Sequence, residues 1–222
     1  MKKWTRWIAA VLMVCLCMTG CGSAGSSDRW VDEDGNEVGA TTDPAATTEP
    51  PAPKNLLNGK HHAKIKIKDY GTISVELDAD EAPITVTNFV NLANDGFYDG
   101  LTFHRIIKGF MMQGGDPNGD GTGGSEQTIK GEFKANSVGN TLSHTRGTIS
   151  MARSDDYNSA SSQFFIMHED STQLDTQYAA FGHVTKGMDI VDEICENTPT
   201  TDANGTVPKG QQPVIKTIKI VD

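Results

Sequence analysis

From residue 63 to residue 77 the chain alternates apolar and polar positions. Ala63, Ile65 and Ile67 alternate with Lys64, Lys66 and Lys68, and Ile73, Val75 and Leu77 resume the pattern after Asp69-Tyr70-Gly71. A period of two buries one face of each segment, and the glycine-containing break predicts a hairpin. Further strand-like runs lie at 102–107, 110–114, 147–152, 163–167, 179–184 and 214–221, separated by clusters of Gly, Asn and Asp. Two stretches have helical spacing instead. In 83–94, Val86, Phe89, Val90 and Ala93 share a face, Pro83 suits the first turn, and Gly96 lies just past the end. In 187–195, Met188, Val191, Ile194 and Cys195 share a face in the same way. Eight strands and two helices, without strand–helix–strand alternation, predict a mainly β fold: a closed eight-stranded antiparallel barrel capped by the two helices.

The front of the chain has neither period. Lys2, Lys3 and Arg6 precede an apolar stretch, 7–18, which is shorter than the about 20 residues a membrane-spanning helix needs. Met18-Thr19-Gly20-Cys21 closes it with small residues before a cysteine. This ending resembles a bacterial lipobox and predicts a lipoprotein signal peptide over 1–20, cleavage before Cys21, and a lipid on its thiol. From 21 to 54 the composition turns to Gly, Ser, Thr, Ala, Pro and acids. Such a stretch cannot bury enough apolar surface to offset ordering, so it predicts a disordered acidic, proline-rich tether. Residues 55–222 make one domain. The expected location is extracytoplasmic, anchored by lipid to the cell membrane, and the long tether suits a Gram-positive surface.

Cysteine and charge narrow this further. Cys15 and Cys17 leave with the signal and Cys21 becomes the anchor, so Cys195 stands alone in the domain and no internal disulfide can form there. The net charge is −10, and loss of Lys2, Lys3 and Arg6 takes it to −13. That balance argues against nucleic acid as a partner.

The candidate chemistry centres on FHRIIKGFMMQGG, 103–115. It sets Arg105 between two apolar runs, with Phe110, Met111 and Gln113 just beyond. A guanidinium beside an aromatic ring, a thioether and an amide suits neutral amide chemistry in an apolar pocket. Asp116, Asn118, Asp120 and Gly121 match only the first half of a calcium loop, whose twelfth position holds Gln127 where Glu is needed. No metal and no cofactor are expected. His104, His144, His168 and His183 lie among serines without a nucleophile elbow. Alternation sets His104 on the face opposite Arg105.

The segment at 103–115 closely resembles the signature of the cyclophilins. GTISMA at 147–152, SSQFFIM at 161–167, LDTQYAAFGHV at 174–184 and KGMDIVDEI at 186–194 continue the resemblance in the family's order across nearly all of 60–222. It implies a cyclophilin-like barrel and peptidyl-prolyl cis-trans isomerase activity. It also implies Arg105, Phe110 and Gln113 as catalytic residues, with Met111, Ala152, Phe165, Gln173, Leu174 and Tyr178 binding substrate. Tyr178 stands where many eukaryotic members have histidine, Gln173 where many have tryptophan, and Arg153 where asparagine is frequent.

The chemistry fits the residues. An X-Pro amide rotates over a barrier of roughly 18–20 kcal/mol because twisting breaks resonance. In the twisted state the nitrogen gains a lone pair, and a donor aimed at it binds the transition state better than either planar ground state. Arg105 would be that donor, Phe110, Met111, Phe165 and Leu174 the proline slot, and Gln113 the hold on the substrate backbone. The expectation is an enzyme acting, as a monomer, on proline-containing unfolded or exported polypeptides. The alternative is a non-catalytic proline-peptide-binding or chaperone module of the same fold, which needs the slot but not the donor. A solute-binding lipoprotein would require a longer, two-lobed chain.

Overall fold

The computed structural model describes residues 49–222. The expected signal peptide at 1–20, the expected lipid on Cys21, and the expected tether up to residue 48 lie outside the described residues. Residues 49–54 have no regular structure.

The alternating segments form the expected hairpin, β1 (Lys60–Ile67) with β2 (Gly71–Asp78). Its register sets Ala63 opposite Val75 and Ile65 opposite Ile73, all buried on one face. Asp69 and Gly71 close the turn with φ of 66° and 134°. The remaining strands are β3 (Thr102–Ile107), β4 (Met111–Asp116), β5 (Thr148–Met151), β6 (Phe164–Met167), β7 (Ala180–Lys186) and β8 (Ile215–Ile220). All eight join one antiparallel sheet in the order β3-β4-β6-β5-β7-β2-β1-β8.

The sheet is curled but open, which corrects the closed barrel expected from the sequence. The end strands β3 and β8 share no ladder: Thr102 makes an isolated bridge with Val214, just ahead of β8, and Ile215 exchanges bonds with Leu101 O (2.7 Å) and Gly100 N (2.8 Å), just ahead of β3. The outer edge of β3 is taken up by the segment preceding β8. Ile106 N donates to Gly205 O (2.8 Å), Val207 N to His104 O (2.9 Å) and Phe103 N to Pro213 O (2.9 Å). With Gly205, Pro208, Gly210 and Pro213 along it, this segment satisfies the edge without becoming a strand.

Helix α1 (Pro83–Asn94) buries Val86, Phe89, Val90 and Ala93, as its spacing predicts, and packs on β8 and β2. Phe89 meets Tyr98, Phe164 and Phe181 at centroid distances of 5.2–5.5 Å, in the middle of the main core. Helix α2 (Met188–Asn197) buries Val191, Ile194 and Cys195 against β2 and β4. Burial pushes the Cys195 thiol up to about 12.

The first turn of α1 has no capping side chain of its own, because its N-cap is Ala82. Glu132 supplies the cap from a distant loop. Its carboxylate accepts from Ile84 N (3.0 Å), Thr85 N (2.8 Å) and Thr85 Oγ1 (2.6 Å). Burial raises its pKa against these bonds. Glu132→Ala leaves helix donors unpaired in the interior and is expected to cost about 1–3 kcal/mol in urea unfolding. A loss below about 0.5 kcal/mol would mean that the cap contributes little.

Candidate active site

Strands β4 and β6 are buried on both faces, and alternation sends their side chains two ways. Met112, Phe164 and Ile166 enter the main core. Met111, Phe165 and Met167 form a second apolar cluster, against which Ile107, Phe110, Ala152, Leu174 and Tyr178 pack. This second cluster is the floor of a cavity of about 240 Å³. Arg105, Phe110, Met111, Gln113, Ala152, Phe165, Leu174 and Tyr178 line it, together with Arg153. Of the residues named from the sequence, Gln173 is not among them. It sits exposed on the 3-10 turn Thr172–Leu174, one residue ahead of Leu174.

Arg105 faces the slot because β3 pairs it with Gln113. Its Nε donates to Asn204 O (2.9 Å), and its Nη1 approaches Gln113 Oε1 (3.4 Å) and the Met111 sulfur (3.8 Å). Among the described residues its Nη2 has no acceptor. Burial lowers the guanidinium's pKa while Tyr178 and Asp202 raise it, and an arginine remains charged near neutral pH. A fixed cation with unspent donors thus stands over an apolar floor.

Gln113 is held in turn. Its Nε2 donates to Gln163 Oε1 (2.9 Å), and Gln163 Nε2 donates to Gly123 O (2.7 Å) and Gly121 O (3.1 Å). The Gly-rich loop therefore anchors the amide that meets Arg105. The loop is shaped by Asp116, whose carboxylate accepts from the backbone N–H groups of Asn118 (2.8 Å), Asp120 (3.0 Å) and Gly121 (2.6 Å). A carboxylate used in this way is structural.

His144 supports the floor from behind. Its ring stacks on Phe165 at 6.0 Å, while Tyr178 meets Phe165 edge-on at 5.9 Å. Burial holds the imidazole pKa down, against Asp175. In the neutral ring, Nδ1–H donates to Asp175 Oδ1 (2.9 Å) and Nε2 accepts from Ser150 Oγ (2.9 Å). Burial opposes ionisation of Asp175, but bonds from Ser143 and His144 outweigh it and keep its pKa below the usual carboxylate range.

His104 does not follow simple alternation. An irregularity in the β3–β4 register falls between Phe103 and Arg105. His104 is buried under the Gly-rich loop, with Nε2 3.6 Å from where a side chain at Gly121 would begin. Neither ring nitrogen has a partner among the described residues. Burial lowers its pKa, against Asp116 and Asp120.

Sequence reasoning missed Gln163, His144, Asp175 and Asn204 as supports. Gln163 and Asp175 lay within the motifs SSQFFIM and LDTQYAAFGHV, but their partners are 50 and 31 residues away. Asn204 lay in no motif, and His144 was considered only for a nucleophile elbow with nearby serines.

Comparison with known proteins shows the family. Residues 62–222 match the family model described as cyclophilin type peptidyl-prolyl cis-trans isomerase/CLD. Peptidyl-prolyl cis-trans isomerase B of Bacillus subtilis is 48% identical over 124 residues, which cover 56% of this chain and 83% of that protein. Peptidyl-prolyl cis-trans isomerase A of Dickeya dadantii is 41% identical over 157 residues, covering 68% and 80%. A Cryptosporidium parvum cyclophilin-type isomerase has a similar structure, with a TM-score of 0.64 and 31% identity, covering 74% of this chain and 99% of that one. A further structure of that protein, in the presence of the dipeptide Ala-Pro, matches with a TM-score of 0.63 and 32% identity, covering 72% and 99%. The chain belongs to the cyclophilin-type peptidyl-prolyl cis-trans isomerases.

The two buried imidazoles make stability depend on pH. Their folded-state pKa values lie below the unfolded value near 6.5, so the unfolded chain binds more protons in mild acid. Their contribution is complete above about pH 7 and declines as pH falls below about 6.5, by at most about 1.4 kcal/mol per pH unit for each ring. Urea unfolding between about pH 7.5 and pH 5 is expected to show that decline. A flat midpoint would contradict two buried neutral rings.

Proposed function

We propose that this isomerase acts on X-Pro bonds in unfolded or newly exported polypeptides, from a lipid-anchored position on the outer face of the cell membrane. The observation that carries the catalytic part is the Arg105 guanidinium. It is tied by Nε to Asn204 and keeps donors over a slot floored by Met111 and Phe165. A proline ring fits the apolar floor, and Arg105 can donate to the amide nitrogen as it twists. Gln113, set by Gln163, is placed to hold the peptide backbone. No covalent step is needed. The slot is complete within one chain, which suits a monomer. The location rests on the sequence, on the basic start, the apolar stretch 7–18 and Cys21. Several acyl chains on one cysteine would hold the protein firmly, since each buried methylene contributes about 0.8 kcal/mol.

The catalytic part is tested by cis-to-trans conversion of an X-Pro tetrapeptide. Arg105→Ala is expected to lower kcat/KM by about 100-fold or more with the circular dichroism spectrum unchanged. A variant that keeps most of its activity would remove Arg105 from the mechanism.

The location is tested by Cys21→Ser in the native host. The variant is expected to accumulate as a larger, unprocessed precursor, with the wild type in the membrane fraction carrying lipid on Cys21. Mass spectrometry that finds the mature wild-type N-terminus at another residue, without lipid, would sink the anchoring reading.

A further inference from the structure

Beside the proline slot lies a second cavity of about 320 Å³, walled by the Gly-rich loop on one side and the 152–161 segment on the other. Gln113, Ala152 and Arg153 line both cavities, so a peptide with its proline in the slot can send a neighbouring side chain into the second. The wall of this cavity is polar but almost uncharged, built of glycines, serine and threonine side chains and two glutamines. Arg153 is its one charged lining residue among the described residues.

Its guanidinium is fixed without being neutralised. The Arg153 Cζ lies 4.8 Å from the ring centre of Tyr178, 4.9 Å from that of Tyr157 and 5.2 Å from that of Phe133. Its Nε donates to Gln177 O (3.0 Å) and its Nη1 to Ser154 O (2.7 Å). These partners are ring faces and carbonyl oxygens, none of which cancels the charge. Among the described residues no carboxylate pairs with it, and its Nη2 has no acceptor. Arg146, by contrast, is paired with Asp192 at 2.7 Å. An immobilised guanidinium with free donors is prepared for a planar carboxylate. It is also a local positive point on a chain of net charge −10, so an acidic group is drawn to this spot and a basic one is repelled.

We propose that Arg153 is a specificity-determining residue that selects substrates with an acidic side chain close to the isomerised proline, the carboxylate entering the second cavity. This rests on the isomerase reading of the slot. It adds a preference that the slot, lined by apolar groups around Arg105 and Gln113, does not supply.

The test compares kcat/KM of the purified full chain on X-Pro peptides that differ only by Glu, Gln or Lys at one position within two residues of the proline, on either side. At one of these positions the wild type is expected to prefer Glu over Lys by about three- to tenfold at low ionic strength, and the preference shrinks as salt is added. Arg153→Gln should bring that ratio close to one, while Arg153→Lys, which keeps the charge, should retain part of it. A ratio taken within one protein cancels any general loss of folding or turnover. Wild-type ratios near one at every position, or a ratio that survives unchanged in Arg153→Gln, overturn the proposal. Should Arg153→Gln not fold, loss of the preference in Arg153→Lys together with a salt-independent wild-type ratio would overturn it as well. The Gln peptides separate the two readings. If the wild type turns them over without charge preference, only the role of Arg153 fails. If it does not turn them over at all, the slot reading fails with it.

Discussion

The antiparallel pairing of β4 with β6 carries two apolar surfaces at once. Met111 lies opposite Met167, Met112 opposite Ile166, and Gln113 opposite Phe165. One face completes the main core and the other makes the floor of the slot. Because side chains alternate with a period of two, a slip of one residue would move Met112 into the slot and Gln113 into the core. The glycines that end β4 help to hold the register. A side chain at Gly114 would come within 2.7 Å of Thr102 O, and one at Gly115 within 2.6 Å of Ser162 O. The same constraint that packs the fold therefore decides which groups line the slot.

Above that floor the polar groups form a chain in which each member fixes the next. Arg105 meets Gln113, Gln113 meets Gln163, and Gln163 is tied to the carbonyls of the Gly-rich loop. On the other flank Asn204 holds the Arg105 Nε, and Gly205 beside it bonds the edge of β3. A guanidinium held on both flanks keeps its remaining donors oriented, with little reorganisation left for binding. Phe165 is held from below in the same manner, by an imidazole whose two nitrogens are both engaged. Several of the fold's long-range polar bonds thus hold residues around the slot.

β1, β2 and α1 were legible from a clean period and a glycine near their ends, whereas β5 and β6, buried along their whole length, were legible only as short apolar runs. The alternation of β1 and β2 and the Val86–Phe89–Val90–Ala93 face of α1 are local properties of the chain. Most of the slot was legible through ordered motifs, and eight of the nine expected residues line it. Gln173 lies outside that lining, exposed on the turn Thr172–Leu174, of which only Leu174 packs against the second cluster. Closure of the barrel was misjudged. Strand count and alternation do not reveal that an irregular segment occupies the edge where β3 and β8 would pair. The bonds of Glu132 to α1, of His144 to Asp175 and of Gln163 to Gln113 join residues 31 to 50 positions apart, and no local pattern marks them.

Cys195 sits on the inner face of α2 with its thiol protonated, and it is the single cysteine of residues 55–222. The fold therefore depends on neither an oxidant nor a reductant, and its stability is indifferent to the redox poise of its surroundings. Thiol–disulfide exchange needs an exposed thiolate, and here there is none to attack or be attacked. Such a domain offers no thiol through which a cysteine-bearing partner could hold it in a mixed disulfide.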